Sequence, residues 1–296
     1  MKEPRVYKNS PILLVFIILL FMFFLGILLF AFGSNSIGFM IPLVAFSIFL
    51  FGAAFVSMAS KTIVSDDEIT VQGILGTKSI NWVNVGRVSG WGYAMKLHSR
   101  DDDVTISISP RLPGYQEVID FVGLKRPDLF TTQEYSSMKR GIVQYLLVGF
   151  GLLMMGGVAV AYMVAVMSNE ETVTSSSFVP LLILAGFALI MVVTSLSGPQ
   201  SINLEGNSVN LKYLFSEKSL QSNEIANVQL AFTQSRNGRH YFIALNLLER
   251  KTIRISGLGM SLPIAYLVLK NWHLGRSSGS GTQTNIAPNW SDNTWR

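Results

Sequence analysis

The sequence predicts a membrane α + β protein with two transmembrane helical hairpins, each followed by a small β-barrel or sheet domain that a C-terminal helix caps. Three observations lead to this fold class. The 296 residues are 49% hydrophobic and 14% charged, with a mean hydropathy of +0.41, which is too apolar for an ordinary soluble chain. Four long uncharged stretches occur in two pairs. The segments that follow the two pairs repeat one pattern of residues.

The first predicted hairpin lies between Lys8 and Lys61, where no residue is charged. Residues 12–32 are almost purely aliphatic and aromatic, and as a helix they would be about 30 Å long, the thickness of a hydrocarbon core. A second apolar run, residues 39–59, follows a short polar break. The first run is too long for a signal peptide, whose apolar core has about 7–15 residues.

The second predicted hairpin comprises residues 141–167 and 178–196, which are also uncharged. Glu170 and Glu171 lie in its turn, whereas the basic residues near the helix ends are all on the other side: Lys2, Arg5, Lys8, Lys61, Lys139 and Arg140. By the positive-inside rule, this asymmetry predicts a multi-pass protein of the cell inner membrane with both termini in the cytoplasm. The helix interiors contain no ionisable residue, which argues against an ion pathway or a coupled transporter.

The chain contains an internal duplication. With an offset of 140, residues 65–88 align without a gap on residues 205–228, and the apolar positions coincide. With an offset of 147, residues 105–109 align on 252–256. A repeat of this length indicates one structural unit that occurs twice. We therefore expect matched positions, such as Val71 with Leu211 and Ile106 with Ile253, to be core residues in both copies.

Within each copy, alternating apolar residues predict short strands, and an amphipathic pattern predicts a closing helix. Asn237-Gly238 predicts a type I′ hairpin between Phe232 and Phe242. Pro113 and Pro263 stand where each closing helix would start. The predicted domains are 1–61 (basic segment and hairpin), 62–130 (first β domain), 131–197 (linker and hairpin), 198–276 (second β domain) and 277–296 (disordered tail).

Four segments carry a family resemblance: Asp66-Asp67-Glu68-Ile69, residues 78–85, Thr105-Ile106-Ser107-Ile108 and the closing helix. Together they resemble the bacterial membrane-flanked pleckstrin-homology-like (PH-like) domain proteins, here in two tandem copies. The resemblance implies a PH-like barrel capped by a helix, and a role as an adaptor or lipid-adjacent module. The second copy departs from the pattern because Ser222 stands where Trp82 does in the first.

Residue types that carry chemistry are sparse. His98, His240 and His273 are each isolated in sequence from a second histidine or a suitably spaced carboxylate, and no phosphate-binding glycine motif occurs. Asp101-Asp102-Asp103 reads either as a solvated hairpin tip or as a cation site, and its spacing favours the tip. We therefore expect no catalytic residue, metal or cofactor. Without cysteine, thiol chemistry is excluded.

Charge is unequal between the two β domains. Residues 62–130 contain seven Lys or Arg and nine Asp or Glu (7 − 9 = −2), whereas residues 198–276 contain nine and four (9 − 4 = +5). The candidate contacts to anionic lipid headgroups or to a protein partner are Arg236, Arg239, His240, Arg250, Lys251 and Arg254. A merely solvated basic face is the alternative, and nucleic acid is not expected.

These observations predict a non-catalytic, multi-pass inner-membrane scaffold or adaptor. It would be integral to the lipid bilayer and would present two cytoplasmic PH-like domains that bind an unknown protein partner and anionic lipid. The alternative is an accessory subunit of a transporter or channel complex. An enzyme is a third reading, which the missing catalytic constellation disfavours.

Overall fold

A computed structural model describes residues 4–8, 11–32, 37–58, 60–74, 76–168, 179–196, 198–235 and 238–277. The chain divides into two compact units. Unit 1 comprises residues 1–129 and 235–239, and unit 2 comprises residues 130–234 and 240–296.

Unit 1 consists of a pair of helices, a four-stranded sheet, a three-stranded sheet and a closing helix. Its elements are β1 (Arg5–Lys8), α1 (Pro11–Phe32), α2 (Ile37–Met58), β2 (Lys61–Val64), β3 (Glu68–Gly73), β4 (Gly76–Asn81), β5 (Val85–Ser89), β6 (Met95–Ser99), β7 (Thr105–Ile108) and α3 (Tyr115–Lys125). The sheets have the orders β1-β2-β3-β4 and β5-β6-β7, and the strand pairs are antiparallel.

The second half of the chain, which is unit 2 apart from residues 235–239, repeats the same order of elements. They are β8 (Ser137–Lys139), α4 (Ile142–Ser168), α5 (Val179–Leu196), β9 (Ser201–Glu205), β10 (Ser208–Lys212), β11 (Glu217–Gln221), β12 (Ile225–Ser235), β13 (Gly238–Leu247), β14 (Thr252–Ile255) and α6 (Leu262–Ser277). The sheets are β8-β9-β10-β11 and β12-β13-β14. The offsets of 140 and 147 found in the sequence carry β4 onto β11 and β7 onto β14, so the duplication extends to the strand order.

Each helix pair is inserted between two neighbouring strands of one sheet. Lys8 at the end of β1 pairs with Lys61 at the start of β2, although α1 and α2 lie between them in sequence. Lys139 of β8 pairs with Ser201 of β9 in the same way. The predicted domain bounds placed β1 and β8 outside the β domains. Both ends of each helix pair are therefore held at one end of a sheet.

The core of each unit contains buried residues of both sheets, such as Ile69 and Leu211 of the four-stranded sheets, and of the closing helix. Alternate side chains of the sheet are buried because successive residues of a strand point to opposite faces. In unit 1 the buried residues include Met95, Leu97, Ile106, Ile108, Val118, Ile119 and Val122, and in unit 2 they include Ile243, Leu245, Ile255, Ala265, Tyr266 and Leu269. Burial of one such large apolar side chain contributes about 1.5–3 kcal/mol.

The residues of each expected core pair occupy matched positions in the two copies, but one residue of each pair is less buried than the other. Leu211 and Ile106 are buried, whereas Val71 and Ile253 are half-buried. Ile106 pairs with Leu97 and Ile253 pairs with Leu245, so the two isoleucines occupy the same position in the two copies.

The closing helices are held by tryptophans that come from different elements. Trp82 follows β4 and donates its Nε1–H to the carbonyl oxygen of Ser65 at 3.0 Å. In unit 2 the matched residue is Ser222, and Trp272 of α6 donates to the carbonyl oxygen of Gly206 at 3.1 Å. The two acceptors lie in matched turns, between β2 and β3 and between β9 and β10. The apparent departure at Ser222 is therefore compensated from the helix.

The prediction of two transmembrane hairpins, and with it the multi-pass inner-membrane localisation with both termini in the cytoplasm, is wrong. Within the described residues, a single helix, Val148–Ser168 of α4, is long and apolar enough to cross a membrane. The described apolar stretches of α1, α2 and α5 have 10–17 residues.

The predicted PH-like barrel is also corrected. The strands of the described residues form four separate antiparallel sheets, two in each unit. The sequence predicts strands from local alternation, but closure into a barrel would require pairing between the edge strands of the two sheets, which alternation does not encode. The tail from residue 278 and the turn residues 236–237 lie outside the described residues.

Candidate functional site

The predicted basic residues lie along one long hairpin rather than in one cluster. Arg239 and His240 are exposed near the start of β13. Arg236 lies outside the described residues. Arg250 and Lys251 occupy the turn after β13, at its opposite end. Arg239 is eight residues (247 − 239) from the end of β13 at Leu247, or about 27 Å along the strand.

Arg250 and Lys251, in the turn after β13, take part in local interactions within that turn. Arg250 adopts a left-handed conformation (φ 62°), and its N–H donates to the Leu247 carbonyl at 3.1 Å. Lys251 lies 3.7 Å from Glu249, and both side chains are largely exposed. Such a surface ion pair contributes little, commonly 0–1 kcal/mol.

Arg254 lies between the two ends of the hairpin. It pairs with Ala244 in β13, and its guanidinium carbon is 5.0 Å from the centre of the Phe242 ring, a cation–π distance. The structure therefore spreads the described members of the predicted site over the length of β13 and β14. They form a basic hairpin, not a pocket that encloses one headgroup.

Sequence reasoning missed a polar cluster on the outer face of the sheet β5-β6-β7. Ser89 Oγ lies 2.7 Å from His98 Nε2, and Thr105 Oγ1 lies 3.2 Å from His98 Nδ1. Asp102 Oδ1 is 3.7 Å from the same Nδ1. Ser89 is nine positions from His98 in sequence, and Asp102 is four positions from it. The pairing of β5 with β6 brings Ser89 close to His98.

This cluster contains the residue types of a Ser-His-Asp triad but differs from one in geometry. A triad aspartate must accept a hydrogen bond from Nδ1–H, and 3.7 Å is too long for that bond. Asp102 is instead held by Arg87, with Nη2–Oδ1 and Nη2–Oδ2 distances of 3.1 and 3.0 Å. Burial, reinforced by Arg87, lowers the pKa of His98, which keeps the ring neutral at pH 7.

Unit 2 has a similar hydrogen-bonded ladder without a histidine, in which two of the three positions match those of unit 1. Asn246, which matches His98, donates to Asn227 Oδ1 at 2.6 Å and accepts from Thr252 Oγ1 at 2.8 Å. Thr252 matches Thr105, and Asn227 matches Arg87. The repetition with amides in place of imidazole indicates that the cluster joins three strands as a cross-strand ladder.

A second matched pair links each closing helix to the turn after the fourth strand. In unit 1, Arg126 donates to the carbonyl oxygen of Trp82 at 2.8 Å and to that of Val85. Asp128 accepts from its Nη2 at 2.6 Å, and this hydrogen bond raises the pKa of Arg126. The residue at this position in unit 1 is therefore a permanent cation.

In unit 2 the matched residue is His273, which is buried. Its Nδ1 lies 3.4 Å from Ser222 Oγ, and it forms a hydrogen bond with the backbone of Ala226. Burial lowers the pKa of His273, because the desolvated site disfavours the imidazolium. The side chain at this matched position is thus ionised in unit 1 and neutral in unit 2.

We expect α6 to lose protection at mildly acidic pH. An unfolded histidine takes up its proton near pH 6.5, whereas folded His273 does so only at lower pH. Stability is therefore fully present above about pH 6.5 and falls as the pH drops below it. Hydrogen exchange of α6 peptides, corrected for intrinsic rates, should accelerate between pH 7.5 and 5.5. His273→Gln should remove most of this dependence, and an equal loss in that variant would contradict the assignment.

In the part of the chain that the structure describes, no group of three or more His, Cys, Asp or Glu residues is placed to hold a metal ion. The three aspartates at 101–103 are exposed. Asp103 accepts a hydrogen bond from Ser99 Oγ, and Asp102 has a φ of 55°, as residues of tight turns do. The geometry of this segment is that of a hairpin tip.

Comparison with known proteins gives no relative: no family model matches the chain, and no curated protein matches it.

Proposed function

We propose that this protein is a membrane-attached, non-catalytic adaptor that is anchored by α4 and presents two repeated β units. Its partners would be the lipid bilayer, anionic headgroups and an unidentified protein. We further propose that each unit is a PH-like module, and the order of four strands, three strands and a closing helix supports this resemblance. The basic hairpin β13-β14 would be the contact surface of unit 2.

The observation that carries the proposal is the exposure of α4. The apolar window of Val148–Ser168 has a mean hydropathy of 2.1, and none of it is buried inside the protein. A core helix of a soluble protein would pass the same test of length and composition, but it would be mostly buried. An exposed apolar helix of 21 residues is unfavourable in water and favourable in a hydrocarbon core.

Attachment is tested by placing charge at the centre of α4. Val158 and Val164 are both exposed on this helix. An arginine near the bilayer centre costs about 2.5–3.5 kcal/mol. The full chain should remain in membranes on alkaline extraction, whereas Val158→Arg with Val164→Arg should shift it to the supernatant.

Val83 supplies the matched control for this test. It is 68% exposed in the turn after β4, outside the apolar helices, so Val83→Arg should leave extraction unchanged. Extraction of the parent chain would contradict membrane attachment.

The non-catalytic part is tested at the Ser89–His98 pair. Because unit 2 has Asn246 at the matched position, His98→Asn should preserve the fold. If the pair is structural, the purified chain and this variant should hydrolyse an activated ester at the same background rate. A rate that His98→Asn abolishes would establish an enzyme instead.

A further inference from the structure

The turn between β10 and β11 of unit 2 exposes two large apolar side chains. The Tyr213 N–H donates to the Ser216 carbonyl at 2.7 Å and closes the turn. Leu214 is 47% exposed and Phe215 is 94% exposed. Turn positions normally carry Gly, Asn, Asp, Ser or Pro. Phe215 adds almost nothing to the core of unit 2, and its apolar area is not covered by the described residues.

Hydrogen bonds place this turn beside the base of α4. The carbonyl of Lys212, the residue before the turn, accepts from the Gln200 N–H at 2.6 Å. The backbone carbonyl of Gln200 accepts from the Arg140 N–H at 2.8 Å. The side-chain amide oxygen of Gln200 accepts from the Tyr145 hydroxyl. Tyr145 lies in the first turn of α4. The apolar turn is thus fixed next to the start of the candidate membrane span.

The height of the turn follows from the helix geometry. Tyr145 precedes Val148, the first residue of the candidate span, by three residues, or about 5 Å along the helix. The polar headgroup region extends several Å beyond the hydrocarbon core on each side, since the core is about 30 Å thick and the bilayer about 40–45 Å. If α4 crosses a bilayer, the turn lies at the level of the headgroups.

Charge around the turn fits an anionic lipid surface. Lys212 and Lys218 are exposed on the two flanking strands, and Lys139 is exposed just before α4. Glu217 pairs with Lys212 and is the acidic residue next to the turn. Exposed apolar side chains flanked by lysines are the composition that binds the boundary between headgroups and acyl chains.

We infer that the turn 213–216 inserts Leu214 and Phe215 into the headgroup–acyl boundary of the bilayer, while Lys212 and Lys218 contact anionic headgroups. The inference rests on the proposed membrane attachment through α4. Unit 1 repeats the feature: Ile74, which matches Leu214, is 56% exposed after β3, and Gln72 pairs with Lys61 next to α2. The turn would fix the orientation of unit 2 relative to the membrane.

The absence of cysteine allows single-site spin labelling of the full chain without other changes. Cysteines at Ser216, Val158 and Asn207 would each carry a nitroxide, in vesicles of phosphatidylcholine with phosphatidylglycerol. Asn207 is the control because it is exposed at the opposite end of β10, about 17 Å away. Collision with oxygen reports lipid, and collision with a water-soluble nickel complex reports water.

We expect the labels at 216 and 158 to favour oxygen and the label at 207 to favour nickel. Adding Phe215→Ser should move the label at 216 toward water and leave those at 158 and 207 unchanged. If 158 is in lipid but 216 is in water, the inference fails while membrane attachment stands. If 158 is in water, both fail. A label at 216 shielded from both reagents would mean that protein covers the turn, which also overturns the inference.

Discussion

Trp82→Ser should destabilise unit 1 by about 3–5 kcal/mol, although serine is the residue that unit 2 has at the matched position. Trp82 is buried, packs 5.7 Å from the Phe121 ring and donates to the Ser65 carbonyl. Its removal leaves a cavity between β4 and α3 and an unsatisfied carbonyl. Ser222 is tolerated in unit 2 only because Trp272 supplies the indole from the helix.

The second step of this experiment transfers the arrangement of unit 2 to unit 1. Lys125 is the residue of α3 that matches Trp272, so Lys125→Trp added to Trp82→Ser should recover part of the lost stability. The lost ion pair between Lys125 and Asp66, 3.1 Å apart and partly exposed, is a small cost. Hydrogen exchange of α3 peptides measures both steps. Lys125→Trp alone should not stabilise, because Trp82 already fills the site. A double variant no better than Trp82→Ser would contradict the equivalence.

Ile106→Asp should cost several kcal/mol, because it places an unpaired charge in the core of unit 1. Ile106 is 1% exposed and pairs with Leu97 of the central strand β6. The cost is a large part of the 5–15 kcal/mol that stabilises an ordinary domain. Peptides that cover β5, β6 and β7 should therefore lose nearly all protection from hydrogen exchange.

The neighbouring residue provides a control of identical chemistry. Ser107 is exposed on the opposite face of β7 and pairs with Lys96, so Ser107→Asp places the same carboxylate beside a cation. Its effect should lie within about 0.5 kcal/mol, as for most surface substitutions. Equal damage from the two variants would mean that the faces of β7 are assigned wrongly.

The sequence predicts the elements of this fold better than their assembly. The period of two in strands and the apolar pattern of α3 and α6 are local, and so the repeat offsets carry Ile106 onto Ile253 and Tyr115 onto Leu262. β1 and β8 were missed because each is separated by a helix pair from its partner strand, which begins at Lys61 or Ser201. The apolar helices begin and end within two residues of the predicted runs, for example Pro11–Phe32 for α1 against 12–32 in the sequence.

The arrangement of the candidate functional residues in space was likewise not predicted from the sequence. Arg239 and Lys251 are twelve residues apart in sequence and belong to one hairpin, but a long β13 separates them in space. The Ser89–His98 ladder depends on cross-strand register, which residue types alone do not specify. Leu214 and Phe215 were visible as two apolar residues in a turn, and their alignment with apolar residues of the first copy concealed how unusual that position is.

The insertion of each helix pair between two paired strands delays the pairing of these strands during synthesis. β8 leaves the ribosome before α4 and α5, yet its partner β9 begins 62 residues later (201 − 139). At about 5–20 residues per second, β8 waits roughly 3–12 seconds with its backbone unpaired. A strand of three residues, Ser137-Met138-Lys139, that ends in a lysine is poorly suited to pair with another nascent chain during that interval. A strand this short has few unpaired backbone groups during that interval.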